Sequence, residues 1–142
     1  MLAITMSIGI GAHVNKVLED NDTVIYEYGG YNLNNLEYRN EKRLYDGIIV
    51  ISQNCFVKSE IHEKIKKMPS GRKKRIRKRI AVPVEYEKMI EDGSITVENC
   101  SNCWKVSDDE KHVDIMALRI LFYVFLRYQE EGKVPDSISY NV

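Results

Sequence analysis

The first ten residues alternate. Leu2, Ile4, Met6, Ile8 and Ile10 fall on one side, with Ala3, Thr5, Ser7 and Gly9 on the other. This is the period-two pattern of a strand with one buried face. It predicts a strand over 2–10, then a second over 13–19 and a third over 23–29. Asp20, Asn21 and Asp22 supply the turn between the last two, because short polar side chains hydrogen-bond their own backbone. Gly29 and Gly30 end that stretch. An asparagine-rich loop (Asn32, Asn34, Asn35, Asn40) follows, with a short helix compatible with 36–45. Asp46-Gly47 then opens Ile48-Ile49-Val50-Ile51, a β-branched run short enough to be a buried central strand.

Further on, Ser59 is placed to cap a helix over 60–68, whose Ile61, Ile65 and Met68 recur at helical spacing. Pro69-Ser70-Gly71 stops it. The stretch after it fits two patterns. Ile76 and Ile80 are four apart, which suits a helix, whereas Ile76, Ile80, Val82 and Val84 share even parity, which suits a strand. Pro83 pushes Val82 toward extended geometry, and this favours the strand. A short helix near 84–92 ends at Gly93, and alternation resumes over 94–100 with Ile95 and Val97.

The clearest element is a long C-terminal helix. Ser107 and Glu110 form a capping-box pattern at its start. Val113, Met116, Ala117, Ile120, Leu121, Val124, Phe125 and Tyr128 follow the rhythm of one helix face. Gly132 and Pro135 mark its end. Between Ile115 and Leu126 the only charged residue is Arg119. An arc this wide calls for cover on more than one side, from the sheet and another helix or from a second copy in a homodimer. The expected fold is α+β: a mixed, largely antiparallel sheet of about five or six strands packed by two or three helices, in one domain over 1–142.

Composition adds one feature. The chain has 142 residues, 44% of them apolar, and a formal net charge of zero, but the charge is segregated. Residues 1–63 hold five basic and nine acidic groups, residues 64–83 ten basic and no acidic groups, and residues 84–142 six basic and twelve acidic groups. The three cysteines, Cys55, Cys100 and Cys103, are too few and too odd in number for a disulfide framework. They point to a reducing compartment. No Lys or Arg precedes Lys16, so the basic start of a secretion signal is missing. No apolar run reaches the roughly 20 residues of a membrane span. The expectation is a cytoplasmic protein with no membrane contact.

Catalytic and metal motifs are weak. Cys100-Ser-Asn-Cys103 has zinc-ligand spacing, but a tetrahedral site needs two more ligands. Cys55 with His62 or His112 completes it only if the fold brings them together. A redox pair needs a stabilised thiolate, and about four residues separate Cys103 from the helix cap. His62-Glu63 opens a metalloprotease-like pattern, but Lys66 stands where the second His belongs. Glu85-Tyr86-Glu87-Lys88 has nuclease-like spacing that is common on exposed helices. No phosphate-binding glycine loop and no nucleophile elbow occur, and no cofactor is expected.

The basic segment is the stronger candidate. Lys64, Lys66, Lys67, Arg72, Lys73, Lys74, Arg75, Arg77, Lys78 and Arg79 occupy sixteen positions without an acid among them. Such crowding is self-repulsive unless an anionic surface lies opposite. On a strand, Arg75, Arg77 and Arg79 share one face at intervals of about 6.6 Å. Tyr26, Tyr28 and Tyr31 offer a second contact surface, since tyrosine is favoured at interfaces. Core packing is the commoner fate for such rings. The chain therefore reads as a small non-catalytic binding protein with a protein partner, similar in general character to immunity- or antitoxin-type antagonists. The alternative is a binder of nucleic acid or a phosphorylated nucleotide through residues 64–79. Overall neutrality counts against a general nucleic-acid coat protein. The incomplete zinc pattern gives a first expectation. Elemental analysis of the purified protein should find no stoichiometric zinc, and zinc that disappears in Cys100→Ser would establish a structural metal site instead.

Overall fold

The computed structural model describes residues 9–34, 39–40, 44–99 and 115–141. Most of the expected strand over 2–10, most of the helix near 36–45, the capping box at Ser107 and Glu110, and Cys100, Cys103 and His112 lie outside them. Seven strands and two helices are described: β1 (Ile10–Glu19), β2 (Thr23–Asn32), β3 (Gly47–Ser52), β4 (Glu60–Lys67), β5 (Lys73–Ile80), α1 (Tyr86–Glu91), β6 (Ile95–Glu98), α2 (Ile115–Glu131) and β7 (Ser137–Asn141). The fold is α+β. Five strands form one sheet in the order β6-β3-β2-β1-β7, and β4 with β5 forms a separate two-stranded ribbon. Every pairing is antiparallel, so the sheet is not mixed. Only one of the two described helices is long, where two or three packing helices were expected.

The β1–β2 hairpin turns where the sequence places its short polar residues. The Asp20 carboxylate accepts the backbone N–H groups of Asp22 and Thr23, both at 2.8 Å. Gln53 ties this turn to the end of β3 by donating its side-chain amide to Asp20 O at 2.8 Å. Within the hairpin the register slips between Lys16 and Leu18. This is a bulge that leaves Val17 without a partner on β2.

One face of the sheet is dry. Ala12 and Val14 of β1, Val24, Tyr26 and Tyr28 of β2, Ile49 and Ile51 of β3, Ile95 of β6 and Ile138 of β7 point to it. They pack against Met116, Ala117, Ile120, Leu121, Val124 and Phe125 of α2. Phe56 inserts its ring beside Phe125 and Tyr128, with centroids 5.3 and 5.1 Å away. The helix ends as its sequence predicts. Gly132 adopts φ +75°, open to residues without a Cβ, and donates its N–H to Tyr128 O at 2.7 Å.

Three expectations change. The segment over 60–68 is strand β4, not a helix. Ile61 and Ile65 are four apart, a spacing that fits one face of either element, and pairing with β5 from Glu60↔Ile80 to Lys67↔Lys73 decides for strand. Pro69-Ser70-Gly71 is then the tip of a hairpin: Gly71 donates its N–H to Met68 O at 2.9 Å and takes φ +84°. The second change concerns β3. It is paired on both edges, but Ile48 remains exposed on the uncovered face, so the strand is interior to the sheet and buried on one side only. The third is β7, which the sequence reading missed. Only Ile138 and Tyr140 alternate there among Ser137, Ser139 and Asn141, too short a pattern to register.

The basic segment is strand β5, Lys73–Ile80, as Pro83 favoured. The wide apolar arc of α2 is only partly covered, since Ile115 and Phe122 are 43% and 46% exposed. Leu121, fully buried at the centre of the helix–sheet contact, is the sharpest probe of the core. Leu121→Ala should cost about 2–5 kcal/mol, read as a lowered urea midpoint with an unchanged slope.

Candidate functional site

Strands β4 and β5 form an arm. Every residue of both is exposed, and an eight-residue ribbon reaches about 26 Å at about 3.3 Å per residue. Residues 60–80 carry ten cations and two carboxylates, Glu60 and Glu63, for 10 − 2 = +8. With the whole chain at zero, the remainder carries −8. At physiological salt, charges on exposed surfaces are screened over roughly 8 Å, about a third of the ribbon's length.

The register assigns the faces. Residues directly opposite share a side, so Ile61, Glu63, Ile65 and Lys67 line one face with Arg79, Arg77, Arg75 and Lys73. Glu60, His62, Lys64 and Lys66 line the other with Ile80, Lys78, Ile76 and Lys74. The expected arginine row therefore exists, but its members do different things. Arg77 is held by Glu63 across the ribbon, Nε to Oε1 3.0 Å. Arg79 donates to the carbonyls of Gln129 and Glu130 at the end of α2, where a cation meets the negative end of the helix dipole. Lys73, Lys74, Arg75 and Lys78 make no ion pair with a described residue. Both faces thus keep cations available to a ligand.

The base of the arm is anchored to α2. Gln129 is buried. Its carboxamide accepts from Val82 N and donates to Val82 O, each at 2.7 Å, so a side chain imitates a strand partner for residue 82. On the other strand, Ser59 Oγ donates to Gln129 O at 3.3 Å. Both ends of the ribbon are fixed to one helical turn while its length stays in solvent.

The tyrosines divide. Tyr26 and Tyr28 are 0% exposed, which corrects their assignment to a contact surface: the even parity that pairs them on one face of β2 turns that face toward α2. Tyr26 donates its hydroxyl to Pro135 O at 2.6 Å. Burial, with the charges of Glu19 and Asp136 adding to it, pushes its phenol above the usual range. Tyr31 has odd parity and lies on the face opposite α2.

That face carries a second feature, which the sequence reading missed. Three strands present a grid in register: Tyr31, Gly29 and Glu27 on β2; Gly11, His13 and Asn15 on β1; Asn141, Ser139 and Ser137 on β7. The Tyr31 ring lies across Gly11, where a Cβ would come within 2.5 Å of the tyrosine oxygen. It donates its hydroxyl to Asn141 Oδ1 at 2.5 Å. His13 stacks beside it, with centroids 5.8 Å apart and planes 24° from parallel. Its Nδ1 is 2.8 Å from Ser139 Oγ. Over Gly29 passes the backbone of Leu44, within 2.6 Å of where a Cβ would stand. Asn40, at φ +53°, holds this approach by donating to Gly30 O and Leu44 O at 2.9 and 3.0 Å. Between this segment and β7 lies a cavity of about 820 Å³, lined also by Arg39 and Tyr45.

The Cys100 and Cys103 pair and His112 lie outside the described residues, so the zinc and redox readings of that pair are untouched. Among the described residues no three His, Cys, Asp or Glu side chains cluster to hold a metal. Cys55 is buried in the core, whereas His62 is exposed on the arm beside Glu60. Burial, with Asp92 adding to it, pushes the Cys55 thiol up, away from a reactive thiolate. Among the described residues no helix is long and apolar enough to cross a membrane.

Compared with known proteins, the chain matches no family model, and it finds no significant match among curated proteins or solved structures. Its geometry has to speak for itself. The Gln129 clamp gives a test of the anchor: Gln129→Leu leaves the polar atoms of Val82 unpaired, at about 1–3 kcal/mol. It should lower the melting temperature and speed tryptic cleavage within 60–80 relative to the wild type.

Proposed function

We propose that this protein binds double-stranded DNA through its basic β-arm. The observation that carries the reading is the distribution of cations on both faces of a ribbon surrounded by solvent. An acidic protein surface meets one face of such a ribbon. A groove meets two, because phosphates line both of its walls. The B-DNA major groove, about 12 Å wide, admits a two-stranded β-ribbon. Lys67, Lys73 and Arg75 face one wall, and Lys64, Lys66, Lys74 and Lys78 face the other. Neutrality of the whole chain does not weaken this reading, because the ribbon is about three times as long as the screening distance and carries its cations at high local density.

The protein-partner reading, including an antagonist of the immunity or antitoxin type, makes a different prediction for the same residues. Fluorescence anisotropy with a 20-base-pair duplex, measured across a salt series, separates the two. The wild type should bind at low salt, with log K falling against log salt at about −0.9 per neutralised phosphate. The variant Lys74→Gln, Arg75→Gln, Lys78→Gln removes cations from both faces and spares the anchoring Arg79. It should weaken binding to all sequences alike and flatten the slope by about three units. A wild type that leaves the duplex free at low salt would overturn the DNA reading. An acidic protein partner, with association slowed in the same triple variant, would then take its place.

A further inference from the structure

The uncovered face of an antiparallel sheet is ordinarily polar and solvated. Here it holds two stacked aromatic rings. Tyr31 is laid down by the missing side chain of Gly11 and pinned by Asn141, and His13 is fixed by Ser139. The pair forms a π-surface at the floor of a cavity of about 820 Å³, within the size range of small-ligand sites. Arg39, exposed at the rim, makes no ion pair with a described carboxylate. Asn15, Ser137 and Ser139 line the floor and the opposite wall with groups able to donate and accept hydrogen bonds. The one carboxylate of the grid, Glu27, is engaged by Asn15 Nδ2 at 3.3 Å and makes that corner unsuitable for an anion.

We propose that this cleft binds a nucleotide, with the heterocycle stacked on the His13–Tyr31 floor, its edge read by Asn15 and the β7 serines, and its phosphate held by Arg39. Each feature matches one part of the ligand. A flat polarisable floor accepts any base, as aromatic side chains on sheet faces do for unpaired nucleotides. A guanidinium binds phosphate oxygens in a fork. The ligand is a free mononucleotide or one unpaired nucleotide of a strand, and both present the same ring and phosphate. The proposal stands on the sheet face alone and does not require the arm to bind DNA.

Isothermal titration of the full chain with AMP, UMP, adenosine and inorganic phosphate tests it. AMP should bind about tenfold more tightly than adenosine, the scale of one charge-assisted contact. Arg39→Gln, an exposed change, should bring AMP down to the affinity of adenosine. Tyr31→Leu should weaken both by roughly tenfold, with a thermal melt confirming that the variant remains folded. Absence of heat with AMP and UMP at millimolar concentration overturns the proposal, as does AMP binding that Arg39→Gln leaves unchanged. The Lys74, Arg75, Lys78 triple variant should retain AMP binding, so failure of the arm reading and failure of this one are told apart. A tetra-adenylate strand then identifies the source of the ligand. Binding that Arg39→Gln weakens as it weakens AMP assigns the cleft to single strands, and no binding beside tight AMP assigns it to free nucleotide.

Discussion

Among the described residues one long helix lies over five strands, and the rest of the described structure follows from where that helix gives cover. α2 buries the face carrying Val14, Tyr26, Tyr28, Ile49 and Ile51, and no second long helix is described for the other face. Hydrophobic burial goes to one side, where the apolar area removed from water can be made contiguous. The opposite side has to tolerate solvent. It does so with Asn15, Glu27, Ser137 and Ser139, yet it also holds two aromatic rings and a cavity. A sheet covered on both faces would have no such cleft.

The limits of that cover also explain the arm. Residues 60–80 carry too many cations to enter a core, since burying unpaired charge is prohibitive. A ribbon of two strands alone is marginally stable in water. The chain resolves this by fixing only the base. Gln129 satisfies both backbone groups of Val82, Ser59 donates to the same helical turn, and Arg79 closes the helix end. The length of the ribbon is left exposed. Arg79 is thus a structural residue within a segment otherwise available for binding, and Arg77 with Glu63 stiffens the pairing across the strands.

Arm and cleft belong to different parts of the molecule and exploit different physics. On the proposed reading the arm works through charge on an exposed ribbon, a mode of binding that is sensitive to salt and discriminates little by sequence. The cleft, on the proposed reading, works through stacking and a single guanidinium, over rings held by Gly11, Asn141 and Ser139. Both proposals place a phosphate-bearing ligand on a surface that α2 does not cover.

Local pattern alone determined much of this chain. The long helix with its Gly132 end, the β1–β2 hairpin turning at Asp20, the strands around Ile49 and Ile95 and the density of charge over 64–79 were legible, because each depends on neighbours within a few residues. What depended on distant partners was not. Ile61 and Ile65 fit helix and strand equally until β5 pairs with β4. Tyr26 and Tyr28 look like an interface pair until α2 lies over their face, and β7 is too short to show an alternation without β1 beside it. The cleft was the least legible of all. His13, Tyr31, Arg39 and Ser139 are spread over 127 positions of the chain, and only the register of three strands places the histidine, the tyrosine and the serine side by side. Sequence spacing fixes what a residue does within its own element, whereas a site assembled across strands exists only once the sheet has closed.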